Sequence, residues 1–341
     1  MFVRWSELER TRERSPSLPG LTDPVVRTFD APEALGIRFH EIHAKSAINS
    51  VPARSRMPFR YTVNPYRGCT HGCVYCFARP THTYLDLNAR EDFEREIVVK
   101  VNTPELVRAE LARKSWGGDH VALGTNTDPY QWVEGRYRLT RGVWEAMRDY
   151  ANPCSLLTKS PLLLRDIDLF RDLVDRTEFV ANLSIPTLDE KAWRATEPHT
   201  PHPRTRIESV AELVRNGVPC GVLVAPLIPG INDAPEQVEE ILELCGAAGA
   251  RSIGGIGLHL RGEVRDIWFD WLRQYRPDLI ERYERLYSRG AYLPKRESER
   301  LSAMVARGGR GVSRMRGRSA RRRPDPSGAA PTQRVRQPGL F

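Results

Sequence analysis

Three cysteines stand four and three residues apart in the stretch Gly68-Cys69-Thr70-His71-Gly72-Cys73-Val74-Tyr75-Cys76. Three thiolates presented by one short loop are soft ligands, and the occupants they suit are an iron–sulfur cluster or zinc. A cubane of four irons normally takes four cysteine thiolates, so a loop offering three leaves one iron with an open position that a small molecule can fill. Zinc is the rival, because Cys73-Val74-Tyr75-Cys76 is also half of a zinc ribbon. A structural zinc site wants a second ligand pair and none stands at suitable spacing, which leaves His71 as the nearest candidate fourth ligand.

The elements that must hold these thiols follow a strand-then-helix rhythm. Tyr61-Thr62-Val63-Asn64 is a short strand that runs straight into the cysteine loop. Thr103-Pro104-Glu105 opens a helix toward Lys114, with proline at its first turn. Val121-Ala122-Leu123 is the second strand and ends in the polar loop Gly124 to Gln131. After a helix from Thr140 to Tyr150, Ser155-Leu156-Leu157 ends in Thr158-Lys159-Ser160, where Ser160-Pro161 caps the next helix. The fourth strand runs from Phe179 to Ile185, and its helix from Arg204 to Asn216 is closed by Gly217. Gly221 to Ala225, a helix from Pro235 to Ala248, and Ser252 to Leu260 complete the series. Helices from Glu263 to Tyr275 and from Pro277 to Ser288 end the folded part.

Six strands separated by helices read as parallel βαβ units, an α/β fold closing into a partial barrel, with a flavodoxin-like open sheet as the alternative. In a barrel the functional loops lie at the carboxyl ends of the strands. That rule gathers the cysteine loop, Gly124 to Gln131, Thr158-Lys159-Ser160, Ser184, Pro226 to Asp233 and His259-Leu260-Arg261 on one rim. Cys154 and Cys220 precede their strands and Cys245 lies within a helix, so all three are read as buried small hydrophobes away from that rim. The two histidines of Pro198-His199-Thr200-Pro201-His202-Pro203 have ligand-like spacing, but the prolines enforce an extended turn.

The C-x3-C-x2-C spacing with Tyr75 ahead of the last cysteine resembles the cluster loop of the radical S-adenosylmethionine (SAM) superfamily, and Tyr61 to Arg261 is similar to its spore photoproduct lyase-like group. The resemblance implies a partial (β/α)6 TIM-like barrel and a 4Fe-4S cluster held by Cys69, Cys73 and Cys76. It also implies S-adenosyl-L-methionine, chelating the fourth iron through its amino and carboxylate groups. One electron, from a donor such as flavodoxin or ferredoxin, then yields a 5'-deoxyadenosyl radical that acts on a substrate the sequence does not name. Asn126, Thr127 and Asp128 stand where many members carry a Gly-Gly-Glu run that bonds the methionyl amino group; the glycine pair is missing here, and an Asx-turn before Pro129 is the other reading. By the same resemblance Lys159 and Arg206 meet the methionyl carboxylate, Ser184 the ribose, and the Tyr75 backbone the adenine; each of the three side chains also reads as an ordinary loop or surface residue. The lyase returns hydrogen through a rim cysteine near the end of the second strand, but no cysteine occurs between Cys76 and Cys154. Tyr130 either stands in for it or walls the pocket, so the catalytic residues stay unassigned.

The chain of 341 residues carries a formal charge of +9, and its position matters more than its size. From Arg307 to Phe341 there are ten arginines and one acid, Asp325, which leaves the body with 42 basic and 42 acidic residues. That tail, rich in glycine and proline, cannot bury a core and is expected to be disordered. The expected organisation is an N-terminal arm over 1–57 packing on the core, a core with trailing helices over 58–306, and the tail over 307–341. The tail either delivers the chain to DNA or RNA through counterion release or is a solvated, non-specific segment. An iron–sulfur nucleic-acid-binding protein with a structural cluster and no radical chemistry is the alternative function. No stretch approaches the roughly 20 apolar residues that cross a bilayer, and Met1 to Glu7 lacks the apolar core of a signal peptide, so the cytoplasm is the expected compartment. Oligomeric state is not legible.

Overall fold

The computed structural model describes residues 9–14 and 24–308, apart from 35, 53, 54 and 56. Most of the arginine tail therefore lies outside the described residues.

Its larger sheet is built from the six expected strands. In chain order the strands are β1 (Glu9–Arg14), β2 (Val25–Phe29), β3 (Arg38–Ile42), β4 (Ile48–Ser50), β5 (Tyr61–Val63), β6 (Tyr66–Arg67), β7 (Glu96–Lys100), β8 (Val121–Leu123), β9 (Cys154–Thr158), β10 (Phe179–Ser184), β11 (Cys220–Leu227) and β12 (Ser252–Gly257). The sheet order β12-β11-β10-β9-β8-β5-β4 places β5, β8, β9, β10, β11 and β12 side by side, every neighbouring pair parallel, with β4 added antiparallel at the β5 edge. Parallel neighbours need crossovers, and these are the helices α1 (Thr103–Leu111), α2 (Leu139–Asp149), α3 (Ile167–Arg176), α4 (Pro203–Arg215) and α5 (Pro235–Ala247). The result is an open, partial α/β barrel. Its main core lies between strands and helices, where Leu123, Leu156, Ala181, Leu183, Val222 and Val224 meet Val107, Trp144, Phe170, Leu213 and Ile241.

Register fixes which end of each strand is which. Val121 aligns with Cys154, Cys154 with Phe179, and Ala181 with Cys220. Cys154 and Cys220 are thus the first residues of their strands, at the end of the barrel away from the cysteine loop, and with Cys245 inside α5 all three are buried.

Two parts of the fold have weak sequence signals. Residues of the N-terminal arm form β2 and β3 of a second, five-stranded sheet of order β1-β2-β3-β7-β6, in which β7 pairs parallel with β3 and antiparallel with the two-residue β6. Phe29, Phe39, Tyr66, Ile97 and Val99 make its core. At the other end the chain continues past α6 (Val264–Tyr275) and α7 (Ile280–Leu286) into α8 (Lys295–Gly308), beyond the point where the sequence reading ends the helices. The glycines of β12 admit α8 closely: a Cβ on Gly255 would lie 2.7 Å from Val305, and one on Gly257 3.3 Å from Leu301.

Candidate active site

The cysteine loop leaves β5 through Asn64 and is held from three sides. Gly68 and Gly72 adopt φ of +84° and +61°, left-handed conformations that cost a side chain dearly. A Cβ on Gly72 would also stand 2.0 Å from a Glu94 carboxylate oxygen, so any other residue there must displace that side chain as well as adopt the left-handed backbone. Arg79, buried at the foot of the loop, donates from Nη2 to the Gly72 carbonyl (2.8 Å) and from Nε to the Cys73 carbonyl (2.9 Å). Its remaining Nη1 serves the Ala89 and Arg90 carbonyls (3.1 and 2.7 Å). Gln131, at the end of the polar loop after β8, accepts from the Thr70 amide (3.0 Å) and donates to the Gly68 carbonyl (3.2 Å). On the third side Cys73 and Tyr75 join the aromatic cluster of Trp268, Trp271, Tyr283 and Tyr287 from the trailing helices.

Cys69 and Cys73 are buried and Cys76 is half-buried. Burial, followed by the charge of Asp128, pushes the Cys69 thiol up to about 12. Burial also pushes Cys73 well up, and Cys76 up against the pull of Arg79 and Lys159. Such thiols ionise only with a cation to pair with, which is what iron provides. Among the described residues no three His, Cys, Asp or Glu side chains are gathered around a single-ion position. A cubane does not ask for that, because each thiolate takes a different iron. A loop bearing three thiols on backbone braced by Arg79 and Gln131 fits a 4Fe-4S cluster, which Cys69, Cys73 and Cys76 would hold.

Around the loop the barrel rim carries one buried polar cluster, and its hub is Glu197. Its carboxylate, fully buried, accepts from Arg206 Nη2 (2.7 Å), from the Tyr75 hydroxyl and from Thr200 Oγ1 (3.3 Å), and lies 3.6 Å from Lys159 Nζ. Burial alone would raise its pKa, but Arg206 and Lys159 outweigh it and hold the group below the ordinary glutamate value. Lys159 donates to Ser184 Oγ (3.0 Å), which in turn donates to the Ala225 carbonyl (3.0 Å). Burial works to discharge Lys159, yet Glu197 and Cys73 raise its pKa on balance, so the ammonium persists.

Of the residues read from the sequence, the structure therefore brings Tyr75, Lys159, Ser184 and Arg206 together beside Cys73. Arg206 is not a surface arginine. It is fully buried, with Nη1 on the Ser184 carbonyl (3.0 Å) and Nε on the Pro201 carbonyl (3.0 Å), so its donors are spent within the protein. Asp128 is likewise engaged: it accepts from Thr158 Oγ1 (2.6 Å), from the Lys159 amide (2.8 Å) and from the Tyr130 amide (2.9 Å), the last closing the Asx-turn. It also faces His71 Nδ1 at 3.4 Å, tying the cysteine loop to the end of β9. His71 is buried with it rather than solvent-facing. Thr127 donates to the Tyr66 carbonyl (3.0 Å), which leaves Asn126, half-buried, as the side chain of that run with no hydrogen bond among the described residues.

Tyr130 leaves the rim. Its ring is fully buried, its hydroxyl donates to Asp166 (2.8 Å) and accepts from Trp144 Nε1 (2.9 Å), so it belongs to the helix layer and neither walls a pocket nor offers a hydrogen atom. His202 caps α4 by accepting from the Arg204 amide (3.2 Å). Glu197, Arg79 and Gln131 were not singled out by sequence reasoning. Nothing local marks Glu197, one of 43 acidic residues, as buried.

A family model described as the Radical SAM superfamily matches residues 63–245. An uncharacterized protein of Mycobacterium tuberculosis (strain ATCC 25618 / H37Rv) is 45% identical over 291 residues, which are 85% of this chain and 86% of that one. A protein of Pseudomonas phage M6 with the name radical SAM Nalpha-GlyT isomerase is 28% identical over 188 residues, 54% of this chain and 36% of that protein. Among solved structures, a double mutant of spore photoproduct lyase with bound AdoMet and dinucleoside spore photoproduct aligns with a TM-score of 0.60 at 14% identity, over 86% of this chain and 84% of that one.

Proposed function

This chain belongs to the radical SAM superfamily, and on that premise we propose that it abstracts hydrogen from a nucleic-acid substrate after reductive cleavage of S-adenosylmethionine. When bound, a 4Fe-4S cluster on Cys69, Cys73 and Cys76 supplies the electron that splits S-adenosylmethionine into methionine and a 5'-deoxyadenosyl radical.

The observation that carries the reading is the polar cluster beside Cys73. Lys159 keeps its charge in a buried site, and its ammonium has three N–H donors. One goes to Ser184 and a second faces Glu197, which leaves one for the methionyl carboxylate. Arg206 serves by neutralising Glu197 and fixing the end of β10, rather than by reaching the cofactor. Asn126, with no hydrogen bond among the described residues, is left to meet the methionyl amino group, while Asp128 braces the loop that carries it. Tyr75, packed against the trailing helices and tied to Glu197, gives the adenine a rigid backbone edge. Cation and carboxylate are fixed before the cofactor arrives, so binding need not organise them.

The reductant in this reading is a flavodoxin or ferredoxin in the cytoplasm. Among the described residues no helix is long and apolar enough to cross a membrane. The nucleic-acid class is supported by the ten arginines from Arg307 onward and by the dinucleoside in the lyase that shares the fold. The test is anaerobic: reconstituted enzyme, S-adenosylmethionine and a reductant are mixed with deuterated DNA or RNA oligomers, and 5'-deoxyadenosine is examined for deuterium. Transfer from the oligomer is the expected result. Cleavage without deuterium from any DNA or RNA would remove nucleic acid as the substrate and leave the radical chemistry standing.

A further inference from the structure

We propose that Arg67 and Lys100 form an anion site beside the cysteine loop that takes a phosphate group of the substrate; the inference rests on reading that substrate as nucleic acid. The two residues are brought together by the second sheet. Arg67 on β6 pairs with Val98 on β7, and Lys100 lies two residues beyond Val98, so both side chains leave the same face as diagonal neighbours. Lys100 is anchored at both ends of its side chain: its amide donates to the Pro65 carbonyl (3.0 Å) and Nζ donates to the Asn64 carbonyl (3.0 Å), where β5 enters the loop. Arg67 directly precedes Gly68-Cys69. A group held between them would sit on the rim at the end of the first barrel strand.

Among the described residues neither cation has a carboxylate partner. The acid on the same face of β7, Glu96, is spent on Arg38 (2.6 Å) and His40 (2.7 Å). Burial, with the charge of Arg67 beside it, lowers Lys100 to about 8. Two half-buried, unneutralised cations side by side are costly to hold. The cost is recovered when a ligand brings the counter-charge. Lys100 has two N–H donors left after Asn64, and the Arg67 fork makes no hydrogen bond to the protein among the described residues, a donor set matched to phosphate oxygens. Tyr84, 76% exposed beside Arg67, adds an open aromatic face of the kind that stacks an unpaired base.

The test measures binding to the full-length, cluster-loaded protein without S-adenosylmethionine or reductant, so it reads independently of catalysis. A fluorescent single-stranded octanucleotide is the probe, with inorganic phosphate and a mononucleotide as competitors and a polyglutamate peptide as control. Arg67→Gln and Lys100→Gln should each weaken the octanucleotide roughly tenfold. The double variant should lower the slope of log affinity against log salt by about 1.4, at about 0.7 per lost contact on a single strand. Arg67→Lys, which keeps charge and loses the fork, should fall between. If Arg67→Gln fails to retain iron, Lys100→Gln and Arg67→Lys carry the test. Octanucleotide binding well above that of the mononucleotide identifies a phosphodiester; equal binding identifies a phosphate ester, and either supports the site. Unchanged affinity and salt slope in cluster-loaded variants would overturn it. So would a polyglutamate peptide that binds as tightly and is lost in the same variants.

Discussion

Replacing Glu197 by glutamine tests the organisation of the rim most sharply, because it changes one charge and almost no volume. The carboxylate is fully buried and serves Arg206, Tyr75 and Thr200 at once, with Lys159 at 3.6 Å. Removing one partner of a buried ion pair leaves the other uncompensated and costs about 3–5 kcal/mol. At roughly 2.1 cal/mol/K per residue, a folded body of about 290 residues unfolds with an entropy of about 0.6 kcal/mol/K, so the loss corresponds to a fall in Tm of about 5–8 °C. Glu197→Gln should show that fall by calorimetry, together with a several-fold rise in the S-adenosylmethionine concentration needed for half-maximal cleavage, since Lys159 loses its anchor. Adding Arg206→Met should restore much of the stability, as apolar replacements of buried pairs do. The pH dependence has a definite sign. A carboxyl held below its unfolded value binds fewer protons when folded, so its contribution is full above about pH 4.3 and is lost as pH falls through the lowered native value. Glu197→Gln should therefore remove part of the acid sensitivity of the wild-type protein. A variant as stable as wild type, with additive effects in the double mutant, would refute the role given to Glu197.

Four further outcomes follow from the geometry. Arg79→Gln removes donors from the Gly72, Cys73, Ala89 and Arg90 carbonyls and should lower retained iron by half or more; iron content equal to wild type after desalting would count against the clamp. Gly72→Ala should abolish cluster loading, and Glu94→Ala should rescue it only in part, because φ stays at +61° after the 2.0 Å clash is gone. Replacing Cys154, Cys220 and Cys245 together by alanine should leave 5'-deoxyadenosine formation within about twofold of wild type while lowering Tm through small cavities; loss of hydrogen transfer on changing any one would place a thiol on the rim after all. Cutting the chain after Gly308 keeps Leu301 and Val305 on β12 and should leave folding and cofactor cleavage intact while reducing the salt dependence of nucleic-acid binding.

The barrel was legible because each unit carries its own punctuation. Pro104, Pro161, Pro203 and Pro235 open helices, Gly217 closes one, and the apolar runs after them are short enough to be buried strands. The cysteine ligands were legible because metal chemistry needs a spacing as well as a residue type. Glu197 was not, because its burial is decided by Arg206, nine residues on, and by Tyr75, 122 residues back. Strand β7 escaped notice because its partners β3 and β6 are distant in sequence or only two residues long, so no local hairpin announces it. Among its described side chains, helix α8 sets Leu301, Met304 and Val305 against the core, and the glycines that receive Leu301 and Val305 lie in β12. Tyr130 shows the opposite error: a residue in a rim loop turned inward because Trp144 and Asp166 satisfy its hydroxyl within the helix layer.

Anaerobic reconstitution with iron and sulfide, followed by S-adenosylmethionine and dithionite, measures the central claim directly. Wild-type protein should hold close to four irons, change its cluster spectrum when S-adenosylmethionine is added, and release methionine and 5'-deoxyadenosine in equal amounts. Alanine at Cys69, Cys73 and Cys76 together should abolish all three signals. Tightly bound zinc with no retained iron, or a cluster indifferent to S-adenosylmethionine, would contradict the assignment of the cysteine loop and the chemistry built on it.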